Sequence, residues 1–202
     1  MPSRIPTPLI TCAPEDVAYR VKLLHKRREH APRVAAIVCS QNEKGKIGVC
    51  LVRHEKGGSL MTPSGKLSQS DDLKVATRRM LGQELNINLP NAIGEWSPCH
   101  ILGKFFLHDV PERAPTPFTK GKAYFLTTQW VASPKDVKKL LPMGAENQAI
   151  ELQWLYDLRD IRHAMADVRD ENKREALVDA ITESMHHWFT QLELQKQQKL
   201  VA

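Results

Sequence analysis

A glycine turn followed by a helix with spaced charges is the segment of this sequence best suited to chemistry. The turn is Pro63-Ser-Gly-Lys66, and the stretch after it carries Asp71, Arg79 and Glu84. Carboxylate oxygens suit hard divalent cations, which usually bind proteins through carboxylates and substrate phosphates together. The pattern therefore indicates a site for a divalent cation and the phosphates of a substrate.

A helix is expected to position these charges. It runs from Ser70 to about Glu84, because Asp71 and Asp72 load its first turn and apolar residues recur at helical spacing from Leu73 onward. Acids in the first turn interact favourably with the positive end of a helix. The turn and the helix together would carry the candidate site.

Two continuous apolar runs precede the turn. They are Val34–Cys39 and Ile47–Val52, and they flank the turn segment Asn42–Gly45. Such runs around a glycine turn predict a β-hairpin whose strands are buried on both faces.

The rest of the chain supplies further helices and strands. We expect a helix from Pro14 to about Arg28, strands over 99–107, 122–129 and 149–156, and two helices over 158–200 that end in a frayed polar tract, 191–199. Strands with helices before and after them predict an α/β fold, a mixed sheet covered by helices on both sides.

The segment from Gly65 to Ile87 resembles the Nudix box, G-x5-E-x7-R-E-U-x-E-E-x-G-U, where U is a bulky aliphatic residue. The matching positions are Gly65, Asp71 (in place of glutamate), Arg79, Leu81, Glu84 and Ile87. Pro63-Ser-Gly-Lys66 resembles the turn that opens the box, and Glu151-Leu-Gln-Trp154 resembles a late strand of the family. The resemblance spans roughly residues 33–160.

The resemblance implies a Nudix-like α/β/α sandwich with a mixed β-sheet and additional N- and C-terminal helices. It divides the chain into an N-terminal arm and basic helix (1–32), a Nudix-like domain (33–160) and a C-terminal helical extension packed on the same domain (161–202). The activity it implies is metal-dependent pyrophosphohydrolysis of substrates linked to a nucleoside diphosphate.

The resemblance also assigns roles to individual residues. Catalytic roles fall to Arg79, Glu84 and Asp71, metal binding (Mg²⁺ or Mn²⁺) to Glu84, Gln83 and Ser64, and phosphate binding to Gly65, Lys66, Arg53 and Lys104. Aromatic partners for a base would be Phe105, Phe118 or Trp96. The pocket would lie over the Gly65 turn, beside the helix.

Three positions depart from the family pattern. Met80 and Gln83 stand where the family has glutamates, and Asn86 stands where it has glycine. Residues 80 and 84 lie one helical turn apart with 83 beside them, so three carboxylates would converge on one patch in the family, whereas Glu84 alone keeps its charge here. We therefore expect metal binding to be weakened by orders of magnitude.

Two functions remain open. The protein is either a Nudix-type hydrolase whose degenerate box weakens or abolishes catalysis, or a non-catalytic module on a Nudix fold that binds a nucleotide or a partner protein. Glu146 and Glu112 are candidate compensating acids for the first, since some Nudix enzymes take a base or metal ligand from a late loop.

Composition restricts the partners. The 202 residues are 42% hydrophobic and 26% charged, with a net charge of +6, which suits an anionic small molecule better than a nucleic acid. The four cysteines are scattered, no stretch is apolar enough for a membrane span, and residues 1–11 lack a signal-peptide core, so a cytoplasmic protein is expected. A homodimer through the terminal helices is left open.

Overall fold

The computed structural model describes residues 9–54, 58–85, 98–109, 121–137 and 149–201. Within them, seven strands form one mixed sheet: β1 (Ile10–Thr11), β2 (His30–Gln41), β3 (Ile47–Arg53), β4 (Ser64–Lys66), β5 (Cys99–Asp109), β6 (Gly121–Trp130) and β7 (Glu151–Leu155). The strand order is β1-β5-β6-β2-β3-β7. Strand β4 pairs with the first half of β2 and β3 with its second half, along the same edge of β2. Strands β2 and β6 are parallel and the other pairs are antiparallel.

Among the described residues, four α-helices cover the sheet: α1 (Val17–Arg27), α2 (Leu73–Leu85), α3 (Leu158–Ala164) and α4 (Glu171–Val201). Successive residues of a strand point to opposite faces, so β2 contributes to two cores. Val34, Ala36 and Val38 pack with α1 and α2 on one face, and Ala35 and Ile37 pack with α3 and α4 on the other. This arrangement confirms the predicted α/β/α sandwich.

The predicted hairpin is confirmed as β2 and β3. The side-chain oxygen of Asn42 accepts hydrogen bonds from the backbone N–H groups of Lys44 (3.0 Å) and Lys46 (2.9 Å). Gly45 has a φ of +79°, a left-handed conformation that glycine adopts without strain. Both strands are buried, as their continuous apolar sequences predict.

Helix α2 begins three residues later than expected. The carboxylate of Asp72 accepts hydrogen bonds from the N–H groups of Lys74 (2.9 Å) and Val75 (3.0 Å), which makes Asp72 the N-cap. Ser68 and Asp71 belong to a preceding turn, in which the N–H of Asp71 lies 3.2 Å from the Ser68 carbonyl. Asp72 thus caps the helix and Asp71 precedes it, whereas both were predicted to lie inside its first turn.

The C-terminal tract over 191–199 was expected to fray, and this expectation is wrong: it is helical and continues α4 to Val201. Its Glu, Gln, Leu and Lys residues are strong helix formers, and Lys196 pairs with Glu193 at 2.8 Å one turn away. None of the described helices is long and apolar enough to span a bilayer.

Candidate active site

Met80 lies where the box has a glutamate, and it packs directly on the glycine turn. Gly65 pairs with Val34 in the sheet, and a Cβ placed on Gly65 would lie only 2.7 Å from Cγ of Met80. Met80 is 5% exposed. The predicted convergence of turn and helix is therefore present, but a thioether is no ligand for a hard cation.

Glu84 is the carboxylate that the helix directs inward. It is 7% exposed, and its Oε2 lies 3.3 Å from Nε2 of His54, directly after β3. Val52 packs on the α2 side of the sheet, and His54, two positions later, points to the same side because strand residues alternate between faces. Strand alternation was thus the signal that could have identified His54 as the partner of Glu84.

The other two predicted metal ligands add little to Glu84. Gln83 is exposed on α2, and the carbonyl of Ser64 accepts a hydrogen bond from Nη2 of Arg33 at 3.3 Å. Within the described ranges, no three His, Cys, Asp or Glu side chains form a group that could hold a metal ion. Glu146 and Glu112 lie outside those ranges. The described donor set does not fit a divalent cation.

Asp71 and Arg79 bind each other. Nη2 and Nη1 of Arg79 donate to Oδ2 and Oδ1 of Asp71 at 2.7 and 3.1 Å, and the N–H of Ser68 donates to Oδ2 at 2.8 Å. The hydrogen bonds from Arg79 and then from Ser68 lower the pKa of Asp71 to about 2. The ion pair between Asp71 and Arg79 connects the turn before α2 to the middle of that helix.

We expect Asp71→Asn to lower the free energy of unfolding at pH 7 by about 1–2 kcal/mol, because two charge-assisted hydrogen bonds are lost from a partly exposed pair. The folded pKa is depressed, so this stabilisation is present above about pH 4 and disappears as the pH falls toward 2. Urea unfolding of both proteins at pH 7, 5 and 3 measures it. The exposed Asp167→Asn is the control, and a difference that stays constant down to pH 3 would contradict the assignment.

Two of the predicted phosphate ligands, Arg53 and Lys104, are engaged by other partners within the protein. Nε of Arg53 donates to Glu151 at 2.9 Å, and its guanidinium also binds the carbonyl of Gly58. Lys104 forms an ion pair with Glu183 of α4, on the sheet face opposite α2. Both side chains are engaged by partners that are distant in sequence.

Phe105 was predicted to stack on a base, but it belongs to the core. It is 6% exposed, and its ring stacks on Phe125 with centroids 5.2 Å apart. The guanidinium of Arg20 covers it at 5.6 Å from the ring centroid. The other two aromatic candidates, Trp96 and Phe118, lie outside the described residues.

The chain is similar to known proteins in its structure and not in its sequence. No protein-family model matches it, and no curated protein matches it in sequence. Similar solved structures include the Ap4A hydrolase of C. elegans in a binary complex (TM-score 0.55, 14% identity, 78% of this chain and 98% of that chain). The E. coli dihydroneopterin triphosphate pyrophosphohydrolase gives a TM-score of 0.54 at 10% identity, over 77% of this chain and 99% of that chain.

A hydrolase of the NUDIX family from Clostridium perfringens gives a TM-score of 0.53 at 15% identity, over 79% of this chain and 99% of that chain. At such identities the likeness concerns the fold. The mixed sheet and the helices on both of its faces agree with that likeness. The chain has the Nudix fold, as the resemblance of its sequence predicted.

Proposed function

We propose that this protein binds an anionic diphosphate, in the simplest case a nucleotide, and that its Mg²⁺- or Mn²⁺-dependent hydrolysis is weak or absent. The observation that carries the proposal is Met80, buried against Gly65 where the Nudix box has a glutamate. The fold supports the class of ligand, since structural neighbours are named for hydrolysis of Ap4A and of dihydroneopterin triphosphate.

Electrostatics favours binding over hydrolysis. A pair of unit charges 4 Å apart contributes about 4 kcal/mol at an effective dielectric constant of 20, and a divalent ion about doubles this before desolvation. Loss of the carboxylates at 80 and 83 therefore removes most of the attraction for a cation. Glu84 itself is buried and its Oε2 contacts His54, so a cation at that oxygen would compete with the imidazole.

An anionic ligand does not need those carboxylates. The net charge of +6 attracts anions to the protein in general. Lys66 follows Gly65 directly and is exposed, and Arg33 reaches the same turn through the carbonyl of Ser64. Diphosphate oxygens at the turn would meet cationic donors there.

We expect a nucleotide to stabilise the protein while little or no phosphate or monophosphate is released. At a ligand concentration 100 times the Kd, the gain of about 2.7 kcal/mol corresponds to a rise in melting temperature of roughly 5–10 °C for a protein of this size. A thermal-shift screen of nucleoside diphosphates, dinucleoside polyphosphates and ADP-ribose, with and without Mn²⁺, measures it alongside a product assay. Glu84→Gln should leave the shift nearly unchanged.

The opposite results identify the alternatives. Turnover in Mn²⁺ that Glu84→Gln abolishes would show an active hydrolase, completed by acids such as Glu146 or Glu112. If no nucleotide changes the melting temperature under any metal condition, binding of a partner protein becomes the better account of this Nudix fold.

A further inference from the structure

A cavity of about 680 Å³ lies between the end of α1, the start of β2 and the segment after β4. Its basic lining residues are His25, Arg28, His30, Arg33, Lys66 and Lys122. No acidic side chain is among the described residues that line it. Glu84, His54 and Met80 are not in its lining, so the cavity is separate from the box carboxylate.

The arginines and lysines of this cavity have no acidic partner among the residues that the structure describes. In the described part of the chain, none of Arg28, Arg33, Lys66 and Lys122 takes part in an ion pair. Nε of Arg33 is buried and has no hydrogen-bond partner there. Buried donors are normally satisfied, so this guanidinium keeps one donor that has no acceptor among the described residues.

Neighbouring cations also act on the pKa values of two lysines at or near the cavity, although burial is the larger cause. Burial lowers the pKa of Lys122, and the charge of Arg33 lowers it further. Burial, Lys122 and Arg33 also lower the pKa of Lys173, on α4, to about 8, although Asp170 opposes the shift. A bound anion would relieve this repulsion.

One feature opposes anion binding: α1 ends at the cavity, and the C-terminal end of a helix carries a partial negative charge of about half a unit. The carbonyl of Leu24, in that last turn, is already satisfied by the N–H of Arg28 at 2.9 Å. Against this partial charge, the lining residues Arg28, Arg33, Lys66 and Lys122 carry four full positive charges.

We propose that this cavity holds the phosphates of a small ligand with at least two adjacent phosphate groups, and that it does so without a metal ion. The volume lies within the range of roughly 300–1,000 Å³ found for small-molecule sites. The inference rests on the proposed function for the class of ligand, a diphosphate, and adds the surface that holds it. Lys66, next to Gly65, joins the cavity to the Nudix turn.

Inorganic pyrophosphate, titrated calorimetrically with EDTA present, tests the cavity directly. We expect submillimolar binding at 50 mM KCl that weakens at least several-fold at 300 mM, because charge attraction is screened. Lys122→Met should weaken it about tenfold, since one charge-assisted contact is lost while the aliphatic stem is kept. Arg28→Gly should do the same without loss of stability, because Arg28 has a φ of 57°, which suits glycine.

Lys46→Met is the matched control. It removes the same charge from an exposed position in the β2–β3 turn, at the far end of β2 from Arg33 and so roughly 25 Å away. Its affinity for pyrophosphate should equal that of the wild type. Equal loss in Lys46→Met and Lys122→Met, or no binding by the wild type, would overturn the proposal.

The two proposals fail in different ways. If pyrophosphate binding depends on Lys122 and Arg28 but no nucleotide binds more tightly, the cavity holds and the nucleotide function fails. If Glu84→Gln abolishes pyrophosphate binding while Lys122→Met and Arg28→Gly leave it unchanged, the ligand lies at the box and the cavity proposal is wrong.

Discussion

Met80→Glu combined with Gln83→Glu is expected to raise the affinity for Mn²⁺ by about 100-fold or more. Each added carboxylate within one helical turn of Glu84 strengthens the attraction for a divalent ion by several kcal/mol before desolvation, and 1.4 kcal/mol is a factor of ten. The unmodified protein should bind Mg²⁺ no more tightly than millimolar without a nucleotide. Titration calorimetry of both proteins measures the difference, and a pyrophosphatase assay should show a gain.

The same double variant should be less stable without metal. Met80 is 5% exposed and packs on Gly65, so a glutamate there would bring a second carboxylate near buried Glu84. Burial of a charge without a partner should cost about 2–4 kcal/mol, which Mn²⁺ should restore. Melting temperatures in EDTA and in Mn²⁺ test this coupling.

Gln83→Glu alone is the control, because Gln83 is exposed and the change should leave stability within about 0.5 kcal/mol. A double variant that folds but gains no Mn²⁺ affinity would show that the alignment of residues 65–84 with the box is wrong.

Trp188→Ala is expected to reduce the free energy of unfolding by about 3–5 kcal/mol. Trp188 of α4 is 4% exposed, its ring lies 5.4 Å from that of Trp130, and its Nε1 donates to Oγ1 of Thr128 at 2.7 Å. Thr128 in turn donates to the carbonyl of Ile37 at 3.2 Å. Truncation leaves a cavity between α4 and the centre of the sheet, and urea unfolding measures the loss.

Phe189→Ala is the neighbouring control: Phe189 is 56% exposed, and its removal should cost less than about 0.5 kcal/mol. The experiment also tests the predicted division in which residues 161–202 pack on the domain that precedes them. One shared unfolding transition would support that division. If Trp188→Ala lowers the stability of α4 in a separate transition and leaves the sheet unchanged, the division is contradicted.

Local periodicity explains what the sequence could predict. The apolar runs around Asn42–Gly45 specify a hairpin within about 25 residues, and helical spacing from Leu73 places Met80 and Glu84 on the inner side of α2. The box alignment predicts a pocket over the Gly65 turn beside the helix, but the packing of Met80 on Gly65 was found only in the structure. These features depend on residues close together in the chain.

Partners distant in sequence explain why the surroundings of Arg53 and Lys104 could not be predicted. Arg53 and His54 are adjacent in the chain. Because successive residues along β3 point to opposite faces of the sheet, His54 faces α2 whereas Arg53 meets Glu151 of β7. The pairing of Lys104 with Glu183 depends on where α4 crosses the sheet. The residues near Arg53 and Lys104 in the sequence give no indication that Glu151 and Glu183 are their partners.

The parallel pairing of β2 with β6 has a consequence for how the chain folds during synthesis. Paired residues of these strands, such as His30 and Gly121, lie about 90 residues apart along the chain. The β2–β3 hairpin can form within microseconds once both strands have left the ribosome, but the central strand has no neighbour on its other side until β6 emerges. The apolar edge of β2 is therefore open to mispairing with other nascent chains for several seconds of translation, at a rate of about 5–20 residues per second.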